Sequence, residues 1–266
     1  MSREAAVVCR DLRKRFGNLE AVGGLDLRVE RGEIFGLVGP DGAGKTTTFR
    51  MLCGLLAPDG GQALVDGHRI EAGKRPGYQL KDSLGYMPQR FGLYFDLSVE
   101  ENMRFYADLF GLDPKTLSER GSRLLQMTRL QDFLSRPAGK LSGGMKQKLG
   151  LTCALLHQPR ILLLDEPTNG VDPVSRREFW RILSGLTDQG ITILLATAYL
   201  DEAERCDRVG LMYEGRLVAC DKPGQLRRAR ASGMEEELPS MEETFVALVR
   251  QQHLDNSRDQ QSEARS

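Results

Sequence analysis

Residues 39–46 run Gly39-Pro40-Asp41-Gly42-Ala43-Gly44-Lys45-Thr46, the spacing G-x-x-x-x-G-K-[ST] that a phosphate-binding loop requires between a strand and a helix. The glycines let the backbone curl so that its N–H groups face inward, and the opening turn of a helix adds positive potential. Lys45 is placed for the β- and γ-phosphates of a nucleotide, Thr46 for a Mg2+ ion, and Thr47 continues the same turn. A second centre follows at Ile161–Leu164, four apolar residues that end in Asp165-Glu166. A carboxylate just past the C-terminal end of a buried strand lies where open α/β sheets bind ligands. Asp165 suits the hydrated Mg2+, and Glu166 is poised to polarise a water for attack on phosphorus. Together the two centres imply a nucleoside triphosphatase that uses Mg2+.

A third segment, Leu141-Ser142-Gly143-Gly144-Met145-Lys146-Gln147, is short, polar and Gly-rich and opens an amphipathic helix. Ser142 can cap that helix, and Gly143 and Gly144 permit close approach of an anion; an ordinary N-cap fits the same residues.

The elements that position these groups follow from the periodicity. Leu25, Leu27 and Val29 alternate with Asp26, Arg28 and Glu30, as in a half-buried strand, and the unbroken run Ile34–Val38 predicts a strand covered on both faces. A helix is expected from about Lys45 to before Pro58, and a short strand over 62–66. Ser98 and Glu101 form a capping box ahead of Val99, Met103, Tyr106 and Phe110, which share one helical face before Gly111. From there to Pro159 the pattern is mostly helical. Ile161–Leu164 and Ile191–Thr197 predict buried parallel strands, and Arg208–Tyr213 with Arg216–Cys220 a hairpin about Glu214-Gly215. Strands alternating with helices predict an α/β fold with a parallel sheet and an inserted helical region near 90–157. Residues 251–266 are polar apart from Leu254, and a frayed tail is expected there.

Composition bounds the function. Lys plus Arg number 37, and so do Asp plus Glu, so no net field draws the chain to nucleic acid or to an anionic membrane. The 40% apolar content supports a full core. Glycine, 29 of 266 residues, exceeds the usual ~7% and is expected in tight turns and close approaches. No stretch reaches the ~18 apolar residues of a spanning helix, and the first ten residues lack a secretory core. Cys9, Cys53, Cys153, Cys206 and Cys220 are scattered, without a CxxC pair. Free buried thiols in a reducing cytosol are expected, not a zinc site.

The string LSGGMKQ, in order with the phosphate loop and the Asp165-Glu166 strand, resembles the signature of ABC ATPases, and the resemblance spans about residues 5–250. It implies a P-loop NTPase (RecA-like) core with a parallel sheet, a small antiparallel β subdomain and an inserted α-helical subdomain. The expected division is 1–89 and 158–225 for the core with its β subdomain, 90–157 for the helical subdomain and 226–250 for a C-terminal helical extension. By the same resemblance, Phe16 in KRFG matches the aromatic that stacks on adenine, though a core aromatic fits as well. Gln89 in YMPQ matches the glutamine that senses Mg2+ and the attacking water. Asp172 in TNGVD matches the loop that faces the opposite subunit. The family pairs two such domains head to tail, so Ser142 and Gly144 are expected to meet nucleotide held by the partner.

LSGGMKQK, GPDGAGKTT, YMPQRFGLY, VDPVSRREFW and AYLDEAERCD are similar to the ABC-2 type export and multidrug efflux subfamily. The chain stops about 45 residues after 216–220, too short for the regulatory domain of sugar importers. An integral membrane permease is expected to dock at the Gln89–Phe95 region, where Phe91, Leu93, Tyr94 and Phe95 form an apolar socket or else pack the helical subdomain. The protein is then expected to be cytoplasmic and peripheral on the inner (plasma) membrane.

One position departs from the family pattern. Where members read T-H-Y-M-D-E-A, this chain has Thr197-Ala198-Tyr199-Leu200-Asp201-Glu202-Ala203. A methyl group cannot replace the switch histidine's hydrogen bond to phosphate or water. Its loss costs about 1.5–3 kcal/mol, roughly one to two decades in rate. The chain's own site is therefore expected to be impaired, and a heterodimer with a paralogous ATPase is favoured over a homodimer. The competing expectations are a soluble ABC ATPase of translation or repair and a low-turnover regulatory subunit. Against the former, the basic Arg227–Arg230 cluster is answered by Glu235–Glu237, so no nucleic acid partner is expected.

Overall fold

The computed structural model of the chain describes residues 4–74, 79–90, 92–229 and 238–263. Two sheets organise it. Strands β1 (Ala5–Phe16), β2 (Leu19–Glu30), β4 (Gly60–Val65) and β5 (His68–Glu71) form an antiparallel sheet in the order β2-β1-β4-β5. Strands β3 (Ile34–Val38), β6 (Leu84–Met87), β7 (Ile161–Asp165), β8 (Thr192–Thr197), β9 (Arg208–Tyr213) and β10 (Arg216–Asp221) form a second sheet, ordered β10-β9-β3-β8-β7-β6. All its pairings are parallel except β9 with β10.

The buried runs explain the parallel sheet. Every residue of β3, β7 and β8 is buried, as expected of strands covered by elements on both faces. One face packs Phe35, Leu37, Leu163 and Leu194 with Phe49, Met51 and Leu52 of helix α1 (Lys45–Leu52) and with the antiparallel sheet. The opposite face packs Leu162, Leu164, Ile193 and Leu195 against Phe179, Trp180 and Leu183 of helix α6 (Pro173–Thr187). Each such Leu or Phe contributes about 1.5–3 kcal/mol when withdrawn from water. Short helix α2 (Gln79–Ser83) leads into β6 at the sheet's edge.

Helices α3 (Val99–Leu109), α4 (Pro114–Thr128) and α5 (Gly143–Leu155) have a separate core of Val99, Met103, Leu125, Leu130, Leu149, Cys153 and Leu156. The capping box is formed: Ser98 Oγ accepts from the Glu101 amide (3.2 Å), and Glu101 accepts from the Ser98 amide (2.7 Å). Helix α7 (Leu200–Ala203) packs near β3, and α8 (Pro223–Arg228) packs on the edge strand β10.

Helix α9 runs from Met241 to Glu263, through the segment expected to fray. No Gly or Pro lies between 241 and 263, so nothing in the backbone chemistry stops the helix at 251. Its first turns pack on β10 and Tyr213, where Phe245 meets the Tyr213 ring edge-on at 6.3 Å.

Among the described residues no helix is long and apolar enough to cross a membrane. All five cysteines are free; Cys9, Cys153 and Cys206 are buried, while Cys53 and Cys220 are only partly so. Burial pushes the Cys9 thiol up to about 12. Arg227 ion-pairs with Glu204 at 3.2 Å and donates to the carbonyls of Leu238 and Pro239; Arg230 and Glu235–Glu237 lie outside the described residues.

Candidate active site

The phosphate loop is fixed where β3 ends. A Cβ on Gly39 would collide with the carbonyl oxygen of Met212, and one on Gly44 with that of Ala21. Gly44 also takes φ 102°, a conformation that other residues rarely adopt, and it precedes α1 with no side chain capping the helix. The first N–H groups of α1 therefore have no side chain of the chain's own at the cap.

Lys45 bends back into the loop. Its Nζ donates to the carbonyls of Gly39 (2.7 Å) and Pro40 (2.9 Å) and lies 3.7 Å from Oε1 of Glu166. Burial pulls the ammonium's pKa down, and Glu166, Asp41 and Asp165 push it back up. Ala43 is buried, its amide closing a turn onto the Pro40 carbonyl at 3.2 Å. Thr46 Oγ1 donates to Asp165 Oδ1 at 3.0 Å. Burial raises the Asp165 pKa, and the Thr46 hydroxyl opposes that rise.

The other oxygen, Asp165 Oδ2, is buried without a hydrogen-bond partner. An orphaned carboxylate oxygen beside a hydroxyl is a hard-oxygen donor pair that suits Mg2+, which takes one or two carboxylate ligands and completes its shell with water and phosphate. Thr46 and Asp165 would hold the ion here, where it would neutralise phosphate charge. Gln89, the third expected ligand, instead turns its Nε2 to Glu166 Oε2 at 2.9 Å.

Glu166 is the hub of the site. It is 8% exposed, takes φ 50°, and its amide donates to Ala196 of β8 at 2.8 Å. A positive φ in a non-glycine residue is strained backbone, and such strain gathers at functional sites. Oε2 accepts from both Gln89 and Asn169 Nδ2 (3.2 Å). A cavity of about 340 Å3 opens in front of these groups. Phe16, Asp41, Gly42, Lys45, Thr46, Thr47, Gln89 and Glu166 line it, together with Leu19 and Ala21. Phe16 is 49% exposed at its rim, 5.7 Å under the Lys14 ammonium, so it is not a core aromatic.

The remaining expected site residues lie elsewhere. Ser142 Oγ caps α5 by accepting from the Met145 amide at 3.3 Å. A Cβ on Gly144 would meet Ser175 at 2.6 Å, and one on Gly143 would face the Gly170 carbonyl at 3.5 Å. Asp172 caps α6, accepting from Val174 (3.0 Å) and Ser175 (2.9 Å). Gly143 and Gly144 thus lie against residues 170–172 and the first turn of α6, and none of Ser142, Gly143, Gly144 and Asp172 lines the cavity of its own chain.

The apolar set after Gln89 divides. Leu93 is buried in the helical core, so the structure corrects its assignment to an exposed socket. Tyr94 and Phe95 are 49% and 48% exposed, and Phe91 lies outside the described residues. Ala198 is exposed, and none of the three histidines lines the cavity.

Sequence reasoning passed over Leu19 and Ala21, which reach the cavity from the start of β2. It also passed over Asn169 and Tyr199. Asn169 stood in the quoted string TNGVD, and its amide three residues past Glu166 was the available signal.

The chain is similar to known proteins in both sequence and fold. The family model described as ABC transporter matches residues 22–169. An Escherichia coli (strain K12) protein named "Probable multidrug ABC transporter ATP-binding protein YbhF" is 44% identical over 246 residues, covering 92% of this chain; the chain spans only 42% of that relative's length. The "Nod factor export ATP-binding protein I" of Cupriavidus metallidurans is 41% identical over 223 residues, 84% of this chain and 73% of its own. A solved structure described as the ATP binding subunit of an ABC transporter is 31% identical with a TM-score of 0.79, covering 92% of this chain and 99% of the other.

Proposed function

The chain belongs to the ABC transporter family, and from that premise we propose that it is an ATP-binding, ATP-hydrolysing subunit that powers export through a separate membrane permease. The observation that carries the reading is the convergence of Lys45, Thr46, Glu166 and Gln89 on one cavity, with Asp165 and its unpartnered oxygen buried behind Thr46. In this reading Lys45 and the uncapped N–H groups that open α1 bind the phosphates, Thr46 and Asp165 hold Mg2+, Phe16 stacks on the base, and Glu166 takes the proton of the attacking water.

The placement of Ser142, Gly143, Gly144 and Asp172 away from this cavity supports a head-to-tail pair in which they serve the partner's nucleotide. Ala198 slows the chain's own site, which favours a paralogous partner that keeps the histidine. Tyr94 and Phe95, with the exposed Phe105 and Leu109 on α3, offer the permease an apolar face. Docking there would hold the protein on the cytoplasmic face of the inner membrane.

The test measures phosphate release from Mg-ATP by the purified chain, alone and with its candidate partner, beside Lys45→Ala. Lys45-dependent release, increased by the partner, supports the reading. Release unaffected by Lys45→Ala, or none in either preparation, removes it. Fractionation of expressing cells distinguishes the transporter, which pellets with its permease, from an ATPase that pellets with ribosomes.

A further inference from the structure

Position 198 lacks the histidine, but the next residue reaches the catalytic carboxylate indirectly. Tyr199 Oη donates to Asn169 Oδ1 at 3.3 Å, and the Nδ2 of that amide donates to Glu166 Oε2 at 3.2 Å. The order of donors matters. An amide presents an acceptor at one end and a donor at the other. With the phenol donating to the oxygen end, the NH2 end of Asn169 is the one left for the carboxylate.

Tyr199 is itself fixed from several sides. The Arg176 guanidinium lies 4.3 Å from its ring centroid, and its amide donates to Thr197 Oγ1 at 3.0 Å. Thr197 in turn donates to Glu202 Oε2 at 2.8 Å. Glu202 is fully buried, and its other oxygen accepts from Thr168 (2.5 Å) and from the Trp180 indole (3.2 Å). Arg176 also approaches Asp201 (3.3 Å) and Glu202 (3.7 Å). Segments 166–169 and 197–202 are thereby joined into one rigid unit at the ends of β7 and β8.

We propose that Tyr199 is a positioning residue for ATP hydrolysis: through Asn169 it holds the Glu166 carboxylate in its working orientation. This rests on the ATPase reading above. Tyr199 acts on the base and not on the phosphate, so it preserves turnover without replacing what Ala198 lacks. A carboxylate that keeps Gln89 and Lys45 but loses Asn169 would spend less time aimed at the water, which lowers turnover and leaves nucleotide affinity alone.

The test uses the full chain, with Tyr199→Phe keeping the ring and its Arg176 contact while removing the hydroxyl. Its kcat is expected to fall about three- to tenfold. KM for ATP, Kd for a fluorescent ATP analogue and the thermal midpoint should stay at wild-type values. Asn169→Ala should lower kcat by a similar factor, and the double variant should be no slower than Asn169→Ala alone, because both break one chain of bonds. A Tyr199→Phe kcat within twofold of wild type, a matching loss of affinity, or effects that multiply in the double variant would each overturn the proposal. Lys45→Ala separates the role of Tyr199 from the ATPase reading on which it rests: hydrolysis that is absent both alone and with the partner, or that does not depend on Lys45, defeats the ATPase reading, and the role of Tyr199 with it.

Discussion

Gln89 Nε2 donates to Glu166 Oε2 across 2.9 Å, tying the end of β6 to the end of β7. Gln89 stands where the chain leaves the parallel sheet for the helices of 99–155. A movement of those helices relative to the sheet therefore pulls first on the hydrogen bond to the candidate base. The same carboxylate lies 3.7 Å from Lys45, so one side chain joins the phosphate loop, the helical insertion and the end of β7.

Glu166→Gln tests the base directly. The amide keeps the size and much of the hydrogen bonding but cannot take a proton. Phosphate release at saturating Mg-ATP should fall about 10²–10⁴-fold, while equilibrium binding of ATP persists. Turnover at the wild-type rate would remove Glu166 from its role.

Ala198→His should work in the opposite direction. A restored hydrogen bond to phosphate or water is expected to raise kcat about ten- to a hundredfold, with little change in KM. Steady-state kinetics of the purified variant decide it. An unchanged rate would mean that this site does not depend on a donor at 198.

Gly39→Ala should damage the fold at the loop. The added methyl meets the Met212 carbonyl, and backbone yields less easily than a side chain. The cost is about 1–3 kcal/mol, a fall in Tm on the order of 2–10 °C for a chain of this size. Gly185→Ala, inside α6 with open space around its Cβ position, should instead stabilise by about 0.5–1 kcal/mol. Calorimetry of the pair compares the two directly.

His157 predicts a pH dependence of stability. Its ring stacks on Phe110 with centroids 3.8 Å apart, and Nε2 meets the Leu84 carbonyl at 2.9 Å. Nδ1 is buried without a partner, so protonation would create a buried N–H that nothing accepts. Burial accordingly holds the pKa below its ordinary 6.5. The unfolded chain then binds the proton more readily, so this contribution is present above pH 6.5 and is lost as pH falls through the lower folded value. Denaturant titrations from pH 7 to pH 5 should show falling stability, with a shallower fall in His157→Gln. Equal slopes for the two proteins would contradict this.

Much of the fold was legible because its strongest signals are local. The all-apolar runs of β3, β7 and β8, the Gly-rich loop and the Ser98–Glu101 capping box each declare themselves within a few residues. Strand β1 did not. Its pairing with β2 shifts register between Cys9 and Leu12, where Asp11 takes φ 49°, and a bulge spoils the alternation that marks a strand. The link from Tyr199 to Asn169 was equally hidden, since two residues thirty positions apart meet only when β7 and β8 pair. Leu93 misled for another reason: an apolar residue in a cluster of apolar residues carries no mark of which way it faces.

The position of Gly143 and Gly144 beside the start of α6, away from the chain's own cavity, has a genetic consequence in the proposed pair. There, a lesion in the phosphate loop would strike the chain's own pocket, the one that Ala198 is proposed to slow. A lesion at Gly144 leaves that pocket intact and disables the partner's stronger one. Severity of inherited damage in this gene would then rank opposite to closeness to the chain's own nucleotide, and its harshest alleles would be felt through the partner gene's product.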